Sequence, residues 1–150
     1  MITTQQIKDL REETGLSVME CQKALEEALG DKAKAISILK EKGAAIAAKK
    51  GTRTLGAGVV VSYIHAGETV GVMLELLSET DFVAKNLEFK AVAKDIAMHI
   101  AAMNPIDTIE LLEQPFIKDP SKKISDLINE TVQKFGERTE IGHFVRFSID

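Results

Sequence analysis

The chain has 150 residues, of which 45% are hydrophobic and 28% charged, with a formal net charge of −4; this is the balance of a folded globular chain and excludes a disordered one. That length holds one ordinary domain or two small ones. No apolar run reaches the ~20 residues of a membrane helix, Met1–Gln6 has no apolar signal core, and a lone Cys21 cannot form an intrachain disulfide, so a cytoplasmic chain without membrane contact is expected.

The charge is uneven. Residues 1–55 carry ten Lys/Arg against eight Asp/Glu, and residues 56–150 carry nine against fifteen. Gripping nucleic acid needs a clustered basic face that neutralises phosphates. Direct nucleic-acid binding is therefore not expected, and protein partners or small ligands are.

In chain order, the first fifty residues predict three short helices. Thr3 with Gln6 and Ser17 with Glu20 are spaced as capping boxes, in which side chain and backbone satisfy each other's free groups at a helix start. Gly15, Gly30 and Gly43 fall where helix ends favour a left-handed residue, and Asp31 is placed to cap the third helix. Period 3.6 holds for Ile7 and Leu10, for Val18, Cys21, Leu25 and Ala28, and for Ala33, Ile36 and Leu39. A helical continuation through Ala44–Ala48 fits the composition. A bundle this small is only marginally stable alone.

Lys49–Thr54 breaks the period and reads as a linker, giving a helical domain over 1–50, a linker over 51–55 and a second domain over 56–150. Val59–His65 and Thr69–Leu77 are rich in β-branched residues and are joined by Ala66-Gly67-Glu68, a hairpin signal. Leu87–Met103 predicts a long helix with Phe89, Val92, Ala93, Ile96 and Ile100 on one stripe, stopped by Asn104-Pro105. Asp107 with Glu110 opens a short helix. Asp119-Pro120 is expected to cap a further helix, whose stripe is Ile124, Leu127, Ile128, Thr131 and Phe135 and whose end is Gly136. His143, Val145, Phe147 and Ile149 alternate as a final strand. The fold class is α+β: a three-helix bundle, then a small antiparallel sheet of three strands covered by helices.

Little of this assembles chemistry. His65, His99 and His143 are far apart, none has a partner at metal-ligand spacing, and each reads as a solvated or edge-of-core histidine. Cys21 lies on an apolar stripe and reads as a small buried hydrophobe. Gly56-Ala57-Gly58 precedes a strand, so it is no dinucleotide fingerprint, and Lys122-Lys123 reads as a solvated face. There is no phosphate loop, nucleophile elbow or metalloprotease helix, and no carboxylate pair at acid/base spacing. No enzyme activity, cofactor or metal is expected.

One segment stands apart. Ser78-Glu79-Thr80-Asp81-Phe82-Val83-Ala84-Lys85-Asn86 places Phe82 and Val83 in a short polar connection between strand and helix, where the chain should run over the surface. Phe82 is either a plug folded back under the loop or a protruding wedge, the aromatic anchor type that dominates interfaces.

Thr80-Asp81-Phe82-Val83-Ala84-Lys85-Asn86 resembles the signature of the elongation factor Ts family, guanine-nucleotide exchange factors of translation. Leu10–Leu25 is similar to the opening of that family's ubiquitin-associated-like helical domain, and Gln114–Pro120 and Phe144–Phe147 are similar to its closing stretches. Longer members carry a second copy of the core subdomain and often a helical-hairpin insertion; this chain carries one copy.

The resemblance implies a partner, elongation factor Tu, in its GDP-bound and nucleotide-free forms. It implies that Val18 and Met19, at the start of the second helix, tether the partner's G domain. It further implies that Phe82 wedges near the partner's Mg²⁺ site and promotes GDP release, with Asp81 positioning the loop and Thr80 and Val83 shaping it. A single core copy also leaves a small sheet with exposed edges, so a homodimer through 56–150, with one patch used twice about a two-fold axis, is expected. Without the resemblance the leading reading is a binding module that captures a partner on its three helices without exchange activity; GDP release separates the two.

Overall fold

The computed structural model describes residues 1–149. Three helices come first: α1 (Thr4–Thr14), α2 (Val18–Glu27) and α3 (Lys32–Lys50). Strands β1 (Ala57–Ile64) and β2 (Val70–Ser78) follow, then α4 (Asp81–Ala84), α5 (Leu87–Met103) and α6 (Thr108–Glu113). The chain closes with β3 (Pro115–Phe116), β4 (Asp119–Lys123), α7 (Ile124–Phe135) and β5 (Glu140–Ser148). The α+β class is the one observed.

Local chemistry sets the helix ends. The Thr3 hydroxyl accepts the Gln6 N–H at 3.1 Å while Gln6 Oε1 accepts the Thr3 N–H at 2.8 Å. Ser17 and Glu20 repeat the exchange at 3.2 and 3.1 Å, so two otherwise free N–H groups are satisfied at each start. The Asp31 carboxylate accepts the Lys34 N–H at 3.2 Å. Leu10, Leu16, Cys21, Ala24, Leu25, Ala28, Ala35 and Leu39 are buried together and form a small core of their own.

The larger core lies between the sheet and α5. The sheet has the order β1-β2-β5, antiparallel throughout. Val61, Val72, Leu74 and Leu76 bury one face of it against Phe89, Ala93, Ile96, Ala97 and Ile100 of α5. Phe89 also meets Phe135 of α7 edge to face, with ring centroids 5.8 Å apart, a preferred aromatic geometry.

Three expectations are corrected. Gly43 does not end a helix; α3 runs through it to Lys50. Gly43 instead faces α7, against which α3 packs: a Cβ there would lie 2.6 Å from Gln133 Oε1, the tip of a flexible side chain, and 3.7 Å from the Asn129 carbonyl. Asp119-Pro120 does not cap a helix but lies in β4, which pairs with β3 in a separate two-stranded ribbon. The helix starts five residues later, where the Asp126 carboxylate accepts the Lys123 N–H at 2.8 Å. His99 is not at the core edge but fully buried.

That ribbon is tied to α5 by His99. The Ile117 N–H donates to Nδ1 at 3.1 Å, so Nδ1 is unprotonated, and Nε2–H is left to donate to Gln114 Oε1 at 2.9 Å. Burial holds the imidazole below its ordinary pKa, and the Gln114 bond opposes that only in part. By contrast the His65 ring is hydrogen-bonded to Tyr63 Oη, and exposed His143 to Glu75. Cys21 is buried, as its place on the stripe predicts.

Candidate partner-binding site

The chain leaves β2 at buried Ser78, turns once as α4 and re-enters the fold at α5. Ser78 Oγ donates to the Thr80 carbonyl at 3.0 Å, and the same carbonyl accepts the Ala84 N–H at 3.2 Å. Lys85 N–H reaches the Asp81 carbonyl at 2.9 Å. The Asn86 side chain then caps α5 by accepting the Glu88 N–H at 2.8 Å. The turn is thus short and fastened at both ends.

On this turn Phe82 is 93% exposed. Asp81, Phe82, Lys85 and Asn86 border a shallow surface hollow, and Leu87 adds a second exposed apolar side chain close by in the chain. Val83 is only 8% exposed and belongs to the sheet–α5 core. It shapes the turn from beneath and offers no side chain to a partner. Of the two readings of Phe82, a plug under the loop is the one its exposure contradicts.

Thr80 occupies the cap position of α4 but makes no side-chain cap bond there. Its hydroxyl instead donates to Glu137 Oε2 at 2.7 Å. Glu137, Glu79, Arg138 and Arg53 form a polar cluster at the root of the turn that no sequence motif marks. Arg138 N–H donates to the Glu79 carboxylate at 2.5 Å, Arg53 lies 3.4 Å from the same carboxylate, and Arg138 Nη1 donates to the Arg53 carbonyl at 2.6 Å. The Arg138 N–H first, and Arg53 after it, hold the Glu79 carboxyl below the usual carboxylate range.

On α2, Val18 and Met19 are 52% and 66% exposed. Both sit in the first turn of α2, beyond the stripe that Cys21, Ala24 and Leu25 turn inward. Among the described residues no group of three or more His, Cys, Asp or Glu converges to hold a metal, and no helix is long and apolar enough to cross a membrane.

A further apolar surface lies on the face of the sheet away from α5. Ile64, Gly71 and Phe147 stand in one cross-strand row, and Ser62, Met73 and Val145 in the next. Ile64, Met73, Val145 and Phe147 are all exposed, as is Val60. Gly71 keeps a dimple between its neighbours, since a Cβ there would lie 2.9 Å from Ile64 Cδ1. The alternation of β5 noted in the sequence describes this outer face.

Comparison with known proteins bears on the whole chain. The family model described as elongation factor TS matches residues 1–110. The chain is 44% identical to the elongation factor Ts of Thermodesulfovibrio yellowstonii, over 99% of this chain and 96% of that protein. It is 42% identical to that of Carboxydothermus hydrogenoformans, over 99% of this chain and 89% of that protein. The first alignment runs over 192 residues against the 150 of this chain, so that relative carries internal residues that this chain does not. With the family model matched over residues 1–110 and nearly the full chain matched by these relatives at 42–44% identity, the chain belongs to the elongation factor Ts family.

Proposed function

We propose that the chain is a guanine-nucleotide exchange factor for elongation factor Tu, promoting GDP release during translation elongation in the cytoplasm. The observation that carries this reading is Phe82: a large apolar side chain held 93% exposed on a turn whose ends are fastened to the core. An aromatic ring kept in water on a rigid mount fits an anchor awaiting a partner's pocket. In the proposed mechanism Val18 and Met19 hold the partner's G domain, and Phe82 enters near its Mg²⁺ site and disturbs the metal and phosphate coordination. Asp81 stands beside Phe82 on the outer side of the turn. Thr80 and Val83 set the turn's shape.

The chain does no bond chemistry in this scheme. It acts by linkage: whatever factor it takes from GDP affinity, GDP takes from its own affinity for the partner. Burying one Phe is worth ~1.5–3 kcal/mol, and each 1.4 kcal/mol is about tenfold. The wedge therefore supplies part of the acceleration and the wider interface the rest.

The same proposal includes a homodimer. The outer sheet face carries exposed Ile64, Met73, Val145 and Phe147 toward one end, with the Glu75–His143 pair beyond them on β2 and β5. A second copy related by a two-fold axis would place Phe147 and Met73 of each chain against the other's sheet, burying strands that are apolar on both sides.

The test of exchange is release of labelled GDP from elongation factor Tu with and without this protein. Acceleration at substoichiometric amounts is expected; release at the unassisted rate, with the two proteins shown to bind, would leave only a partner-capturing module.

A further inference from the structure

The turn that carries Phe82 does not hold itself. Four helical residues form a single turn, too short to be stable on its own account, and Thr80 spends its hydroxyl outside it. Besides Ser78, Asn86 and the buried Val83, it is held from outside by Glu137, on the loop between α7 and β5. Its Oε1 accepts the N–H of Glu79 at 3.1 Å and of Thr80 at 2.9 Å, and its Oε2 accepts the Thr80 hydroxyl at 2.7 Å.

These three bonds fix both backbone and side chain of the residue immediately before α4. They are answered in the other direction by Glu79, whose carboxylate takes the Arg138 N–H. Two loops far apart in sequence are thus stapled by a reciprocal pair of glutamates. Hydrogen bonds from N–H groups to a carboxylate are short and stronger than neutral ones, and two directions of bonding leave the turn little freedom to roll. The geometry imposes one pitch on the turn, and with it one direction on the Cα–Cβ bond of Phe82.

We propose that Glu137 is a positioning residue for exchange: it touches neither partner nor nucleotide, and it sets the angle at which Phe82 is presented. This rests on the reading of Phe82 as the wedge. A residue acting in this way affects the rate in the bound complex more than the formation of that complex, because the tether at Val18 and Met19 is elsewhere.

The experiment measures GDP release from elongation factor Tu against concentration of the full chain, for Glu137→Ala, Glu137→Gln, Phe82→Ala and the Glu137→Ala/Phe82→Ala pair, with melting curves on each preparation. Glu137→Ala is expected to lower the saturating rate roughly tenfold while the half-saturating concentration changes little. Glu137→Gln should recover most of the rate, since the amide oxygen still accepts both N–H groups and the Thr80 hydroxyl can rotate to accept from the amide. The double variant should be no slower than Phe82→Ala, because positioning a ring that is absent has no value.

Additive losses in the double variant, or a Glu137→Ala rate equal to the unaltered protein's while Phe82→Ala is slow, overturn this inference and leave the wedge standing. Intact exchange in Phe82→Ala overturns the wedge itself. Should Glu137→Ala fail to fold, Thr80→Val, which deletes only the hydroxyl bond, serves in its place: a lower saturating rate at unchanged half-saturation supports the proposal, and an unchanged rate overturns it.

Discussion

Phe82 and Val83 are adjacent in the chain and opposite in the fold: Val83 is packed into the core against the sheet and α5, while Phe82 stands almost wholly in solvent. Two apolar neighbours on one turn thus stand in opposite surroundings, one packed in the core and one in solvent.

The contrast makes a paired prediction. Phe82→Ala should change stability by no more than ~0.5 kcal/mol, as surface substitutions do, and slow GDP release roughly ten- to hundredfold. Val83→Ala removes buried methyl groups and should cost on the order of 2 kcal/mol of stability. Melting and GDP release on the same preparations check both. A large loss of melting temperature in Phe82→Ala, with exchange intact per folded molecule, would move the wedge elsewhere.

Much of this architecture was legible locally. The capping boxes at Thr3 and Ser17, the hairpin turn at Gly67 and the span of α5 depend on groups within a few residues of one another, and those are the contacts a sequence displays. Gly43 was misread because the helix continues through it to Lys50 along α7, a tertiary contact the local pattern does not display. Asp119-Pro120 was misread because the same pair that opens helices also suits a strand entry beside a turn. The wedge residue was legible as an anomaly, an aromatic in a polar connection. Glu137 was not: its contact with Thr80 joins residues 57 apart, and a glutamate in a loop carries no signal until the fold closes it onto a backbone.

A chain beginning at Gly51 should still fold, since the sheet–α5 core is separate from that of α1–α3. It should melt lower than the full chain, because α7 loses the cover of α3. It should bind elongation factor Tu more weakly yet keep some exchange at high concentration. Complete loss of exchange at saturation, with the shortened chain shown to be folded, would refute the division into tether and wedge.

The proposed dimer is checked by light scattering. At ~10⁻⁵ M, where even a weak association is populated, the full chain should have twice the 16.4 kDa mass of one copy. Phe147→Asp, which puts a charge in the apolar row that Phe147 shares with Ile64 and Gly71, should return it to one copy with little change in the α5 side of the sheet. A single-copy mass for the unaltered chain would dispose of the dimer.

Stability should fall as pH is lowered through 6.5, the ordinary histidine value, and His99 should be the main cause. Its folded pKa lies below the ordinary 6.5, so between those two values the unfolded chain takes up a proton that the folded chain refuses. Its stabilising share is complete above 6.5 and is lost toward the lower folded value. The groups around it are Gln114, the Ile117 amide and the Phe116 ring, and none of them offers a compensating negative charge. Melting temperature against pH, in the unaltered chain and in His99→Gln, reads this directly: the variant should be less stable throughout and its curve flatter over this range. An equal slope in the two would assign the effect to other groups.

Helix α3 has one further consequence. Its 19 residues make a rod of roughly 28 Å at 1.5 Å per residue, with one end in the small core and the other along α7. The segment after it is itself fastened, through the Arg53 carbonyl and guanidinium. A rod seated in one core and laid along a helix of the other behaves as a ruler, not a tether of variable length. For a partner gripped at α2 and at Phe82, the second contact is then made at a high effective concentration set by the spacing of the first. Such a grip acts like a bidentate ligand: it discriminates by distance, and a partner whose two contact points differ in spacing would gain from one of them only.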